Sequence, residues 1–119
     1  ELMKVIGKIS NINVTIGRID LDKKNPYNKT ANINLSENDY KNKVVILCDD
    51  VLNSGKTLIY SSKIFLSTPL KKLSTVVLVN RNHNLYPIKS DYVGLSLSTT
   101  LKEYINVDLT TANKGVYLS

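Results

Sequence analysis

The chain has 119 residues, 42% hydrophobic and 22% charged, a balance that suits one globular domain and is too apolar for disorder. Sixteen Lys and Arg against ten Asp and Glu give a formal charge of +6, which suits either an anionic partner (phosphate ester, nucleotide or RNA) or a solvated basic surface. No apolar run approaches the roughly 18 residues of a membrane span, and one Cys with one His excludes an internal disulfide and leaves too few ligands for a zinc cage. The lone thiol fits a reducing cytoplasm, and the opening Glu1-Leu2-Met3-Lys4 does not read as a signal peptide.

Leu2, Val5, Ile6 and Ile9 share one helical face, so residues 1 to 10 are expected as a helix. It starts without a cap or an initiator methionine, and the chain is expected to continue upstream. Val14, Ile16, Arg18, Ile19 and Leu21 read as a strand. Residues 22–40 are polar, rich in Asn and Lys, and contain Pro26; they read as a long mobile loop or weak hairpin, with Ile33 and Leu35 in a short strand. Val44 to Cys48 is a continuous apolar run, expected as a strand buried on both faces, followed by a loop over residues 49–55. Thr57 to Leu66 reads as a helix with Leu58, Ile59, Phe65 and Leu66 on one side and Pro69 beyond its end. Leu73–Val79 and Tyr92–Leu97 are expected as further buried strands, with short strands at 107–109 and 116–118. Strands alternating with helices predict an α/β domain over residues 1–119, its largely parallel central sheet flanked by helices.

The informative stretch runs from Val44 to Thr57. An apolar strand ends in Asp49-Asp50, and a small-residue loop, Asn53-Ser54-Gly55-Lys56-Thr57, opens a helix. Ligands of open α/β sheets bind at the carboxyl ends of strands. Successive backbone N–H groups, the hydroxyls of Ser54 and Thr57, and a Gly55 without Cβ form a phosphate cradle. Asp49 and Asp50 beside it suit ribose hydroxyls or a Mg²⁺-coordinated polyol. A Walker A loop is excluded, because the position five residues before Gly55 holds Asp50, whose carboxylate would repel phosphate. A phosphorelay receiver is excluded as well: the later strand Val76–Val79 is followed by Asn80, not by an acceptor Asp. Cys48 reads as a packed, inert thiol and His83 as a surface histidine.

The Val44–Thr57 run resembles the phosphoribosyl-pyrophosphate motif of type I phosphoribosyltransferases. Leu78-Val79-Asn80-Arg81-Asn82-His83, Pro87-Ile88-Lys89-Ser90-Asp91-Tyr92-Val93-Gly94 and Gly17-Arg18-Ile19-Asp20-Leu21 resemble the PyrR-like branch, pyrimidine-operon attenuators with uracil phosphoribosyltransferase activity. The resemblance implies the type I phosphoribosyltransferase fold with a long mobile loop. It implies transfer of phosphoribosyl from phosphoribosyl pyrophosphate to a nucleobase, with uracil favoured, and Mg²⁺ as cofactor without direct protein ligation. It assigns Asp49 and Asp50 to the ribose and to catalysis. Asn53, Ser54, Gly55, Lys56 and Thr57 fall to the sugar phosphate, and Arg81, Tyr92 and Val93 to the base. A homodimer is implied, and RNA as a partner.

Departures narrow this. Asn53 stands where purine-specific relatives place an Asp base, and an amide cannot take a proton. The attenuators carry cations where Asn84, Lys89 and Leu95 stand; Lys89 keeps the charge and the other two are lost, which counts against an RNA face. Asn80 replaces an Asp before Arg81, and Lys23 or Lys24 replaces a loop Arg. The family's pyrophosphate loop has no counterpart, so the domain is expected to lack its N-terminal part. The rival reading is a nucleotide-sensing RNA-binding regulator that keeps the site without catalysis.

Overall fold

The computed structural model describes residues 2–27, 31–98, 103–110 and 114–119. They divide into two compact units, residues 1–16 with 102–119, and residues 17–101. In the first, helix α1 (Leu2–Ile9) follows the expected apolar spacing, and Lys8 lies in its last turn, where a cation suits the helix dipole. Strands β6 (Ile105–Asp108) and β7 (Gly115–Leu118) of the same unit form an antiparallel pair with Val107 opposite Val116.

The second unit holds the remaining elements. Strands β1 (Ile19–Asp20) and β2 (Asn32–Ile33) pair antiparallel, with Ile19 opposite Ile33. The expected strand from Val14 to Leu21 therefore shrinks to two residues, and Leu35 falls outside β2; Val14 and Ile16 are largely exposed. The polar 22–40 stretch forms the weak hairpin, and its residues 28–30 lie outside the described ones. The same stretch contains an unexpected one-turn helix, α2 (Glu37–Tyr40). Its start is fixed by Asp39, whose carboxylate accepts from the Ser36 N–H at 2.9 Å and the Ser36 hydroxyl at 3.0 Å. Those bonds hold the Asp39 carboxyl below its ordinary pKa.

Strands β3 (Val44–Leu52), β4 (Lys72–Asn80) and β5 (Tyr92–Ser96) form a parallel sheet in that order. Helix α3 (Lys56–Ser62) and the 3-10 turn Lys63–Phe65 make the crossover between β3 and β4. They cover one face, where Leu47, Leu52, Leu58, Phe65 and Val77 form the core and Tyr40 meets the Phe65 ring edge-on at 5.0 Å.

Five expectations are corrected here. Strand β3 runs four residues past Cys48, because pairing with β4 continues through Asp49–Val77, Val51–Val79 and Leu52–Asn80; the predicted loop begins only at Asn53. It is not buried on both faces: side chains alternate, and Val44 (51% exposed), Ile46 (49%) and the exposed Cys48 lie on the face α3 does not cover. Cys48 is thus no packed thiol. The helix predicted to Leu66 ends at Ser62, where the hydroxyl of Ser62 donates back to the Ile59 carbonyl at 2.7 Å and the chain tightens, leaving Leu66 exposed. Strand β5 is an exposed edge strand, not a buried one. Among the described residues no helix is long and apolar enough to cross a membrane.

The start of β5 is pinned to β4 by a reciprocal pair. Buried Thr75 donates its N–H to the Asp91 carboxylate at 2.8 Å, and its hydroxyl oxygen accepts from the Asp91 N–H at 3.0 Å. A Thr75→Val variant keeps the shape and removes the hydroxyl, so it is expected to lose about 1–2 kcal/mol in urea unfolding. An unchanged midpoint would show that water replaces the hydroxyl.

Candidate functional site

The carboxyl end of β3 and the first turn of α3 enclose a cleft of about 190 Å³ lined by Lys23, Asp49 and residues 51–58. Asn53, Ser54, Gly55, Lys56 and Thr57, singled out in the sequence, all lie on its wall. Their backbone makes the cleft possible. Gly55 adopts φ +86°, the left-handed conformation that glycine reaches without a Cβ penalty. The Ser54 hydroxyl accepts from the Lys56 N–H at 3.2 Å, and the Gly55 carbonyl starts the helix by accepting from the Ile59 N–H at 3.1 Å. Among the described residues the N–H groups of Asn53, Ser54, Gly55 and Thr57 have no acceptor. Such unspent amides, beside the hydroxyls of Ser54 and Thr57 and the ammonium of Lys56, can bind an anion.

The two aspartates part company. Adjacent strand residues face opposite ways, and Asp49 lines the cleft while the exposed Asp50 does not. The Asp49 side chain is 15% exposed, and Lys23 stands 3.8 Å from its Oδ1. Burial raises the Asp49 carboxyl above its ordinary pKa, and the neighbouring Asp50 carboxyl adds to the rise; Lys23 and the Asp50 N–H, which donates to Asp49 Oδ1 at 2.9 Å, pull it back only in part. Asp50 Oδ1 accepts from the Val51 N–H at 2.8 Å. A recessed carboxylate offers acceptors to a hydroxylated ligand.

The residues expected at the base are spread out. Arg81 follows β4, is 7% exposed, and donates its N–H to the Leu52 carbonyl at 3.0 Å, so it sits one strand away from the cleft. Tyr92 and Val93 are not brought to the turn: they open β5 and pair with Val76 and Val77, mid-sheet. The β5 residues beside Asn80 are Ser96 and Leu97. Sequence reasoning also missed the segment after β4, which folds back onto Ser54 and Gly55; a glycine needing both a positive φ and open space was the one signal of it.

Residues 3–112 match the model of a family described as phosphoribosyl transferase domain. Among curated proteins, the bifunctional protein PyrR of Pediococcus pentosaceus is 34% identical over 110 residues, covering 84% of this chain and 62% of the relative. That of Clostridioides difficile is 38% identical over 103 residues, covering 83% and 56%. The chain thus spans under two thirds of the length of these relatives. Among solved structures, a hypoxanthine phosphoribosyltransferase of Trypanosoma cruzi, a point mutant complexed with the product IMP, superposes with TM-score 0.70 at 18% identity over 87% of this chain and 51% of that one. A hypoxanthine phosphoribosyltransferase of Staphylococcus aureus gives 0.64 at 23% identity over 81% and 54%. At these identities the likeness is one of fold.

Proposed function

The chain belongs to the phosphoribosyl transferase family and has its fold, and from that premise we propose that it transfers phosphoribosyl from phosphoribosyl pyrophosphate to a pyrimidine base, uracil first. The observation that carries this is the cleft itself, with unspent amides at residues 53–55 and 57 on one side and the recessed Asp49 on the other. The turn holds the 5′-phosphate through the Gly55 and Thr57 N–H groups, the two hydroxyls and Lys56. Asp49 accepts from the ribose hydroxyls. Arg81, beyond Leu52, is the residue assigned to the base. Tyr92 and Val93 carry no role in this reading, since they stand away from the turn.

The reaction breaks the bond from C1 to pyrophosphate and forms one to a ring nitrogen of the base. Positioning and charge supply most of what such a displacement needs. Asn53 cannot accept a proton, so no base at that position takes part. Lys23, with its side chain 66% exposed at the cleft, is a mobile cation for the departing diphosphate. A Mg²⁺ carried in on phosphoribosyl pyrophosphate would need no direct protein ligand here, with Asp49 the carboxylate that lines the cleft beside it. Such an ion would supply charge neutralisation for the leaving pyrophosphate.

The test is turnover of phosphoribosyl pyrophosphate by the full-length protein against a panel of bases. A nucleoside 5′-monophosphate from uracil, with pyrophosphate released one for one, is expected. No product from any base would overturn the reading. A second reading, a nucleotide-responsive RNA binder that keeps the cleft without catalysis, draws on the +6 charge. Sequence-selective RNA retention with a steep salt slope, without turnover, would favour it.

A further inference from the structure

The segment joining β4 to β5 is built as a strap on the cleft turn. The N–H groups of Leu85 and Tyr86 both donate to the Ser54 carbonyl, at 2.9 and 3.0 Å. Within the strap, the side-chain amide of Asn84 donates to the Ile88 carbonyl at 2.7 Å, and the Ile88 N–H donates to the Tyr86 carbonyl at 2.8 Å. Asn84 thereby closes residues 84–88 into a ring. Ile88 fills the space beside the Gly55 α-carbon, its Cγ2 lying 2.5 Å from where a Cβ would stand. The Tyr86 ring meets the Tyr60 ring of α3 edge-on at 6.1 Å.

A trans peptide points its C=O and its N–H in opposite directions. Ser54 C=O and Gly55 N–H belong to the same peptide. Two donors on that carbonyl therefore fix the direction of the Gly55 N–H, and they also polarise it. The device is needed because a glycine places no side-chain barrier against rotation of that peptide. We infer that Asn84 is a positioning residue for the sugar-phosphate turn: it shapes the strap that holds the Ser54–Gly55 peptide with its N–H ready for the phosphate. This rests on the reading of the turn as a phosphate cradle. Asn84 itself is exposed and acts only through the strap.

The test uses the full-length protein, Asn84→Ala, and ribose 5-phosphate as the probe. The net loss of one neutral hydrogen bond, about 1 kcal/mol, corresponds to roughly fivefold weaker binding in calorimetry. The KM for phosphoribosyl pyrophosphate should rise by a similar factor with kcat retained. The Gly55 amide resonance is expected to be single in the wild type and to broaden or split in the variant as the peptide samples both directions. Asn84→Asp, which keeps the shape and removes the donor, should behave alike. Wild-type affinity together with an unchanged Gly55 resonance in both variants would overturn the inference and leave the cradle standing. Weakening that merely follows a fall in global stability would overturn it too. Failure of the wild type to bind ribose 5-phosphate would instead remove the cradle reading beneath it.

Discussion

A Gly55→Ala variant is expected to lose sugar-phosphate binding by about a hundredfold or more, through two independent costs. The first is conformational: at φ +86° an alanine Cβ crowds the carbonyl, which costs about 1–2 kcal/mol. The second is steric. The new Cβ would stand 2.5 Å from Ile88 Cγ2. That methyl sits on the branched carbon of Ile88, and the Ile88 backbone is held at both its N–H and its C=O. It cannot swing aside as the tip of a long side chain would. Overpacking of this kind costs about 1–3 kcal/mol. The cheapest relief is to lift the turn off the strap, breaking the bonds from Leu85 and Tyr86 to the Ser54 carbonyl and disordering the amides that face the cleft. Calorimetry with ribose 5-phosphate measures the loss, and urea unfolding measures what part of it reaches global stability. Adding Ile88→Ala to Gly55→Ala should recover the steric part and leave the conformational part, so the two changes should couple rather than add. Strict additivity would show that the contact with Ile88 is not what makes alanine intolerable.

Much of this geometry was legible in the sequence and the remainder had identifiable reasons to be hidden. The apolar run Val44–Leu47, the acidic pair and the small-residue loop located the strand, its carboxyl end and the turn, because local composition and period determine those features. The loop boundary was missed since a parallel ladder to Val77 and Val79 holds Asp49 and Asp50 in the strand, against the poor strand propensity of aspartate. That extension also sets their exposure, Asp49 toward the cleft and Asp50 toward solvent, while the two side chains still interact. Open burial on one face of β3 could not be read, because a continuous apolar run looks the same whether one face or two are covered. The strap was invisible for another reason. Its bonds join residues 84–86 to residue 54, a tertiary contact made by backbone groups that every sequence possesses. Tyr92 and Val93 were placed by motif resemblance alone, and the sheet register puts them at the start of β5, beside the middle of β4.

Asp49→Asn is expected to make the folded chain more stable at neutral pH while it weakens turnover. Burial is the largest influence on this carboxyl and raises its pKa in the folded state; the Lys23 ammonium at 3.8 Å opposes it without cancelling it. The folded chain thus binds that proton more tightly than the unfolded chain does. For an acid shifted in this direction the stabilising contribution is complete below the ordinary carboxylate pKa and is lost as pH rises through the folded value. At neutral pH the wild type therefore carries an ionised, recessed carboxylate at a net cost, and an amide of the same shape removes it. The stability gap between variant and wild type should be widest near neutrality and should close as the medium is acidified below about pH 4. Activity should move the other way: an amide presents one acceptor oxygen and no charge to the ribose hydroxyls. Loss of one charge-assisted hydrogen bond, about 1.5–3 kcal/mol, corresponds to a fall of roughly tenfold to a hundredfold in kcat/KM for phosphoribosyl pyrophosphate. Urea unfolding across a pH series, together with steady-state kinetics, measures both. A variant less stable than the wild type at neutral pH would mean that the pair with Lys23 outweighs burial, and that Asp49 is held for structure. A stabilised variant with wild-type kinetics would remove Asp49 from the sugar site altogether.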